Sequence, residues 1–309
     1  MKVWMDGEVV DGPRATVPVF DHGLLYGDGI FEGMRAHGGR VFAFDRHLKR
    51  LGTGARALHL ELPGGLEGIR GAVRETVDAD GGGDRYIRLV VTRGEGPLGV
   101  DPTRCARARV FCIVDTIALF SEEKRREGLS LVTSSFRRPG PDVLDPRVKT
   151  LNYLNNVLAK QEAVRQGADD ALMLNDRGHV AEASVANVFV VRDGVLLTPP
   201  TTDGCLDGVT RVTVMELARA MGILCAERTL GRMDFFGADE AFMTGTGAGI
   251  VRISQLDGEH IGPDGLGPVT ERVIDGYRRA TAGEDPVESS SEQTAVGGAA
   301  AGQSAVRLS

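Results

Sequence analysis

Three dipeptides suited to chain reversal, Asp6-Gly7, Gly38-Gly39 and Asp193-Gly194, each lie between two short apolar runs. Tight two-residue turns need positive φ, which Gly and Asp tolerate and β-branched residues resist, and they return the strand antiparallel to itself. The first third of the chain is accordingly β-rich, with residues 3–5 pairing 8–10 and 30–35 pairing 40–44. Leu48, Leu51, Ala55 and Leu58 recur at helical spacing behind Asp45, which predicts a helix with Asp45 as its N-cap. A second helix over 66–77 and strands at 86–92 and 107–114 complete a small N-terminal α/β domain, 1–120. The charged stretch 121–128 reads as an interdomain hinge.

A larger domain, 129–280, follows. Its pattern predicts strands at 129–134, 170–174, 180–182, 186–191, 195–198, 223–227 and 240–244, with helices over 151–166, 209–221 and 266–280. Gly167 and Gly222 stop the first two of those helices. From residue 281 the composition collapses to Gly, Ala, Ser and Glu, too little apolar surface to fold, so 281–309 is predicted to be a disordered tail.

A net charge of −7 offers no basic face for a phosphate backbone, and Lys124-Arg125-Arg126 is flanked by Glu122, Glu123 and Glu127, which argues against nucleic acid as a partner. No apolar run approaches the roughly 20 residues of a membrane span. The N-terminus carries no apolar signal segment, and Cys105, Cys112, Cys205 and Cys225 form no C-x-x-C pair. The reading is a cytoplasmic protein with reduced, structural thiols. Gly94-Glu95-Gly96-Pro97-Leu98-Gly99 matches G-x-G-x-x-G, but Pro97 and Pro102 prevent a helix from opening there, so no dinucleotide site is expected. The six His are scattered, with no H-E-x-x-H spacing, and no metal site is expected.

Of 36 basic residues only five are Lys: Lys2, Lys49, Lys124, Lys149 and Lys160. Arg cannot lose its proton in a protein, whereas a desolvated Lys can become a nucleophile. Lys149, at the approach to a helical pattern, is placed for that chemistry, although a lone Lys near a helix start is ordinarily solvated. A pyridoxal phosphate site needs such an amine, a carboxylate for the pyridine nitrogen, a group near the ring oxygen and a phosphate cup. Lys149, Glu182, Tyr153 (one helical turn from Lys149) and the helix start Gly208-Val209-Thr210-Arg211 can supply these, with Arg50 and the Gly245-Thr246-Gly247 turn beside the phosphate.

Taken in order, several segments resemble the fold-type IV (class IV) pyridoxal phosphate enzymes. These are Tyr26-Gly27-Asp28-Gly29-Ile30-Phe31-Glu32-Gly33-Met34-Arg35, His47-Leu48-Lys49-Arg50-Leu51, Lys149 with Asn152-Tyr153, Glu182 with Asn187, Gly208-Val209-Thr210-Arg211 and Gly245-Thr246. That group comprises branched-chain aminotransferases, D-amino acid aminotransferases and aminodeoxychorismate lyases. The resemblance implies an α+β, two-domain fold like that of the D-amino acid aminotransferases, with a small α/β domain and a larger β-barrel-like domain with helices. It further implies a homodimer or higher homo-oligomer whose sites borrow residues from the neighbour. By the same resemblance Lys149 forms the internal aldimine with the cofactor and shuttles the Cα proton. Glu182 pairs the pyridine nitrogen, Tyr153 bonds the ring oxygen, and Arg50, Val209, Thr210 and Thr246 hold the phosphate.

Phe31-Glu32-Gly33-Met34-Arg35, Tyr86-Ile87-Arg88 and Asn152-Tyr153 look most like the branched-chain class. That likeness implies transamination of branched-chain or other apolar L-amino acids with 2-oxoglutarate, and a substrate pocket of Tyr26, Phe31, Arg35, Tyr86, Arg88 and Gly247. The Arg-x-His carboxylate trap of the D-amino acid enzymes is replaced by Leu98-Gly99-Val100, which leaves the Thr246-Gly247 amides for the α-carboxylate. Two departures keep the D-amino acid and lyase classes open as alternatives. Gly27-Asp28-Gly29 is closer to the D-amino acid enzymes, and Gly247-Ala248-Gly249-Ile250 stands where the branched-chain class usually has Ala-Ala-Glu-Ile.

Overall fold

The computed structural model describes residues 1–116 and 119–284. The first half builds a six-stranded antiparallel sheet from β1 (Lys2–Met5), β2 (Glu8–Asp11), β3 (Gly29–His37), β4 (Arg40–Val41), β5 (Arg85–Thr92) and β6 (Arg109–Asp115), in the order β2-β1-β6-β5-β3-β4. Its two tight turns form where the dipeptides predict them, with φ of 47° and 114° at Asp6 and Gly7, and 55° and 83° at Gly38 and Gly39. The short helix α1 (His22–Tyr26) precedes β3, and α2 (Phe44–Ala57) and α3 (Gly65–Ala79) cover the sheet. The buried side of α2 carries His47, Leu48, Leu51 and Ala55, and α3 adds Ile69, Val73 and Val77 to the same core.

Asp45 is not the cap of α2. Ala43, in the left-handed region, holds that place, and Asp45 lies in the first turn, paired with Arg70. Pairing with β3 ends where Phe42 N donates to Arg35 O, and the left-handed Ala43 then turns the chain, so β4 has two residues and the helix starts at Phe44.

The second half continues with α4 (Glu122–Glu127), β7 (Leu129–Thr133), α5 (Pro141–Leu144), α6 (Leu154–Arg165), β8 (Asp170–Leu174), β9 (Val180–Ala183), β10 (Asn187–Arg192), β11 (Val195–Thr198), α7 (Val209–Ala220), β12 (Cys225–Glu227), α8 (Arg232–Phe236), β13 (Glu240–Gly245), β14 (Gly249–Leu256), β15 (Glu259–His260) and α9 (Pro268–Ala282). The sheet runs β12-β11-β10-β13-β14-β7-β8-β9, with β15 on β14. Because residues 184–186 carry β9 straight into β10, the far end of this path returns beside its third strand and the sheet curls into a partly closed barrel. Leu129, Leu172, Val188, Met243 and Ile253 lie in one of its cores, while α7 and α9 cover its other face, their Val214 and Val273 joining Phe189 and Phe242 in a second core.

The expected hinge holds a one-and-a-half-turn helix, α4, capped by the Ser121 hydroxyl. The sequence reading did not anticipate β14, whose apolar run is interrupted by Arg252. That guanidinium is buried and donates to the carbonyls of Glu127, Ile261 and Pro263. Burial pushes the Cys112 and Cys205 thiols up to about 12, in keeping with structural roles. Among the described residues no helix is long and apolar enough to cross a membrane. The C-terminal helix reaches Ala282, and the tail expected over 281–309 lies outside the described residues from 285 onward.

Candidate active site

A cavity of about 330 Å³ opens between the two sheets. Strands β3 and β5 contribute Phe31, Gly33, Tyr86 and Arg88 to its lining, and α2 contributes Arg50. The opposite side is built from Glu182 on β9, the 184–186 connection, Asn187 at the start of β10, the start of α7, and the turn after β13.

Lys149 reaches the cavity through an unpredicted device. Its carbonyl accepts from Phe31 N (3.0 Å), Leu151 N donates to Gly29 O (3.0 Å), and Thr150 forms an isolated bridge with Ile30. Residues 149–151 thus run as a short extra strand along β3, and α6 begins only at Leu154. Lys149 and Tyr153 are therefore not one helical turn apart as expected. They nevertheless meet, Nζ donating to Tyr153 Oη at 2.9 Å, with Nζ also 4.3 Å from the Phe31 ring centroid.

Glu182 is buried and held at both oxygens. Arg138 Nη2 lies 3.0 Å from Oε1, and Leu206 N (3.1 Å) and Asn187 Nδ2 (3.3 Å) donate to Oε2. Burial raises its pKa above the usual carboxylate range, with Arg138 opposing. Asn187 also shapes the neighbouring helix start. A Cβ at Gly208 would fall 1.9 Å from Asn187 Oδ1, so only glycine allows this close approach. No side chain caps α7, which leaves its first amides, at Val209 and Thr210, on the cavity wall at the positive end of the helix.

Arg50 is gripped by Glu32 through Nε (2.8 Å) and Nη2 (2.6 Å), while Nη1 donates to Asp207 O (2.7 Å). Burial would raise the Glu32 carboxyl, but Arg50 and His47 hold it down at about 2. Burial depresses the His47 pKa against the pull of Glu32, so a neutral ring supports the pair through a 2.8 Å contact. Thr244 Oγ1 is buried at the cavity without a hydrogen-bond partner among the described residues.

Of the residues singled out in the sequence, Lys149, Arg50, Tyr153, Glu182, Val209, Thr210, Thr246, Phe31, Tyr86, Arg88 and Gly247 all line this cavity. Arg35 does not line it but donates to Gly247 O at 3.2 Å from behind the turn. Tyr26 lies outside it, its Oη accepting from Gly99 N (2.8 Å) on the face that exposes Phe20, Leu24, Leu98 and Val100. The sequence reading missed Arg138, Asn156 and Ser184. Arg138 sits in a Pro-flanked basic pair that reads as surface charge, and no local pattern marks the other two.

A model of the family described as amino-transferase class IV matches residues 29–256. A relative from Methanocaldococcus jannaschii described as a putative branched-chain-amino-acid aminotransferase is 44% identical over 278 residues, covering 90% of this chain and 96% of that protein. The crystal structure of the Escherichia coli branched-chain amino acid aminotransferase superposes with a TM-score of 0.88 at 31% identity, covering 92% of this chain and 95% of that one. That of the Thermobaculum terrenum branched-chain amino acid aminotransferase, in its PLP-bound holo form, gives 0.83 at 31% identity, with coverage of 92% and 94%.

Proposed function

This chain belongs to the class IV aminotransferase family and is a pyridoxal 5′-phosphate-dependent aminotransferase, and from that premise we propose that it transfers the amino group of branched-chain L-amino acids to 2-oxoglutarate. The observation that carries the substrate reading is Arg88. It is a cation in the aromatic half of the cavity, held on Tyr86 Oη (2.7 and 3.1 Å) and stacked 4.6 Å from the Phe31 centroid, and no carboxylate pairs with it among the described residues. An apolar side chain packs on Phe31 and Tyr86, and the second carboxylate of a dicarboxylic acceptor finds Arg88 in the same pocket.

The residues present fit the cofactor. The uncapped start of α7 suits a phosphate, the Arg50 cation, itself clamped by Glu32 and the Asp207 carbonyl, lines the same cavity, and the buried, partnerless Thr244 hydroxyl leaves a polar group for a bound molecule. Bound there, the cofactor supplies an electron-accepting ring that stabilises negative charge at the substrate Cα. In this reading Lys149 would be the amine that holds the cofactor and moves the substrate Cα proton, with Tyr153 Oη aiming its Nζ and facing the ring oxygen. Glu182 keeps the ring nitrogen protonated, and Arg138 fixes its position. Arg50, Val209, Thr210 and Thr246 hold the phosphate. The α-carboxylate rests on the Thr246-Gly247 amides, which Arg35 steadies through the Gly247 carbonyl.

Residues 1–120 and 129–280 serve as the two domains that close on the cavity. The exposed side chains Phe20, Leu24, Leu98 and Val100 suit burial against a second copy, which would bring Tyr26 to its neighbour's cavity. The test is the visible absorbance of the purified holoenzyme with L-leucine and, in parallel, D-alanine. Loss of the cofactor band with L-leucine alone, restored by 2-oxoglutarate, is expected. A response only to D-alanine, or to neither, moves the assignment to the D-amino acid or lyase class.

A further inference from the structure

Asp170 opens β8 fully buried, yet among the described residues no cation pairs with it at salt-bridge distance. Its Oδ1 accepts from Ser184 Oγ (2.5 Å) and Ala171 N (2.8 Å), and its Oδ2 has no hydrogen-bond partner among the described residues. Burial pushes its carboxyl up, with Lys160 opposing. Leaving a carboxyl oxygen unsatisfied in a core is costly, and an apolar residue would serve strand packing better. Departures from that rule concentrate where function requires them.

The hydrogen bonds lead from Asp170 to the cavity. Ser184 lines it, and the Ser184 carbonyl accepts from Asn156 Nδ2 (2.6 Å). Asn156 Oδ1 accepts from Arg138 Nη1 (2.8 Å), and Arg138 Nη2 reaches Glu182 Oε1 (3.0 Å). Every member of this chain is buried. Asp170 thus fixes the short connection that follows Glu182, while Asn156 ties that connection to the guanidinium that Glu182 needs.

We propose that Asp170 is a positioning residue for the reaction. Through Ser184, Asn156 and Arg138 it sets the angle at which Glu182 meets the pyridine nitrogen, although it touches neither substrate nor cofactor. This rests on Glu182 pairing the ring nitrogen. Asp169, next to it, does a different job, clamping Lys124 and Ser130 at the surface.

The experiment compares holoenzymes carrying Asp170→Ala, Asp170→Asn and Glu182→Gln. It reads the pH titration of the visible cofactor band and the half-reaction with L-leucine. Asp170→Ala is expected to shift the titration midpoint and slow the half-reaction about tenfold with KM within about twofold, and Asp170→Asn, which keeps an acceptor for Ser184, to recover most of the rate. If Asp170→Ala does not fold, Ser184→Ala removes the donor alone and must shift both readouts in the same direction. An unshifted midpoint with an unaltered rate overturns the proposal, as does an Asp170→Asn no better than Asp170→Ala. Glu182→Gln separates the two levels. If it changes neither band nor rate, the ring-nitrogen assignment fails; if it alone changes them, only the role of Asp170 fails.

Discussion

Arg138 Nη2 lies 3.0 Å from Glu182 Oε1, with both side chains 7% exposed. A buried pair of this kind contributes little net stability, but removing one partner strands the other charge. Arg138→Leu should therefore cost about 3–5 kcal/mol of stability and weaken cofactor binding, read by thermal melts and by titrating the apoenzyme with pyridoxal phosphate.

The Glu182 carboxyl, raised by burial, gives a pH signature. A raised carboxyl stabilises the fold below its unfolded value, and that contribution is lost as pH rises through the folded value. Relative to Glu182→Gln, the wild-type apoenzyme should melt higher near about pH 4 than near about pH 8. A melting difference that ignores pH would count against this assignment.

Glu32 behaves in the opposite sense. Its carboxyl falls from 4.5 to about 2, so its contribution is present above the unfolded value and lost as pH drops through that window. The shift corresponds to at most about 3.5 kcal/mol. Glu32→Gln should lower stability above pH 4.5 and flatten its fall between 4.5 and about 2 in denaturant unfolding, and should loosen Arg50 enough to raise the cofactor dissociation constant.

Gly208→Ala places a methyl group against Asn187 Oδ1, where the approach would be 1.9 Å. The helix start must then shift away from the cavity. Cofactor affinity is expected to fall about tenfold or more with a smaller change in melting temperature, since the site needs its donors within about half an ångström.

Arg88→Gln should separate the two halves of the reaction. The step with 2-oxoglutarate should slow by about 30-fold, about 2 kcal/mol, while the step with L-leucine stays within about threefold. Stopped-flow absorbance of each half-reaction measures both, and equal losses would place the carboxylate elsewhere.

Much of this architecture was legible because its causes are local. Asp6-Gly7, Gly38-Gly39 and Asp193-Gly194 dictate positive φ wherever they occur, and the last pair adopts 51° and 75° in the turn between β10 and β11. Lys149 stood out by chemistry and by the motif around it. The support of Glu182 was not legible, because Arg138, Asn156 and Asp170 meet only through the parallel pairing of β7 with β8 and the packing of α6 on β8. No spacing rule spans such a crossover. The contact between Lys149 and Tyr153 was foreseen from a helix that does not cover either residue. Pairing with β3, invisible in the local pattern, holds the segment extended instead.

That pairing has a mechanical consequence. With residues 149–151 bonded to β3 and Val148 packed into the core beneath the first sheet, the Lys149 amine rides on the six-stranded layer although its sequence position falls in the second half. Glu182 and the start of α7 ride on the curled sheet. Any breathing of one body against the other changes the span between amine and carboxylate while preserving the span between amine and Phe31. Grip on an occupant straddling both then depends on how firmly the two layers are held together.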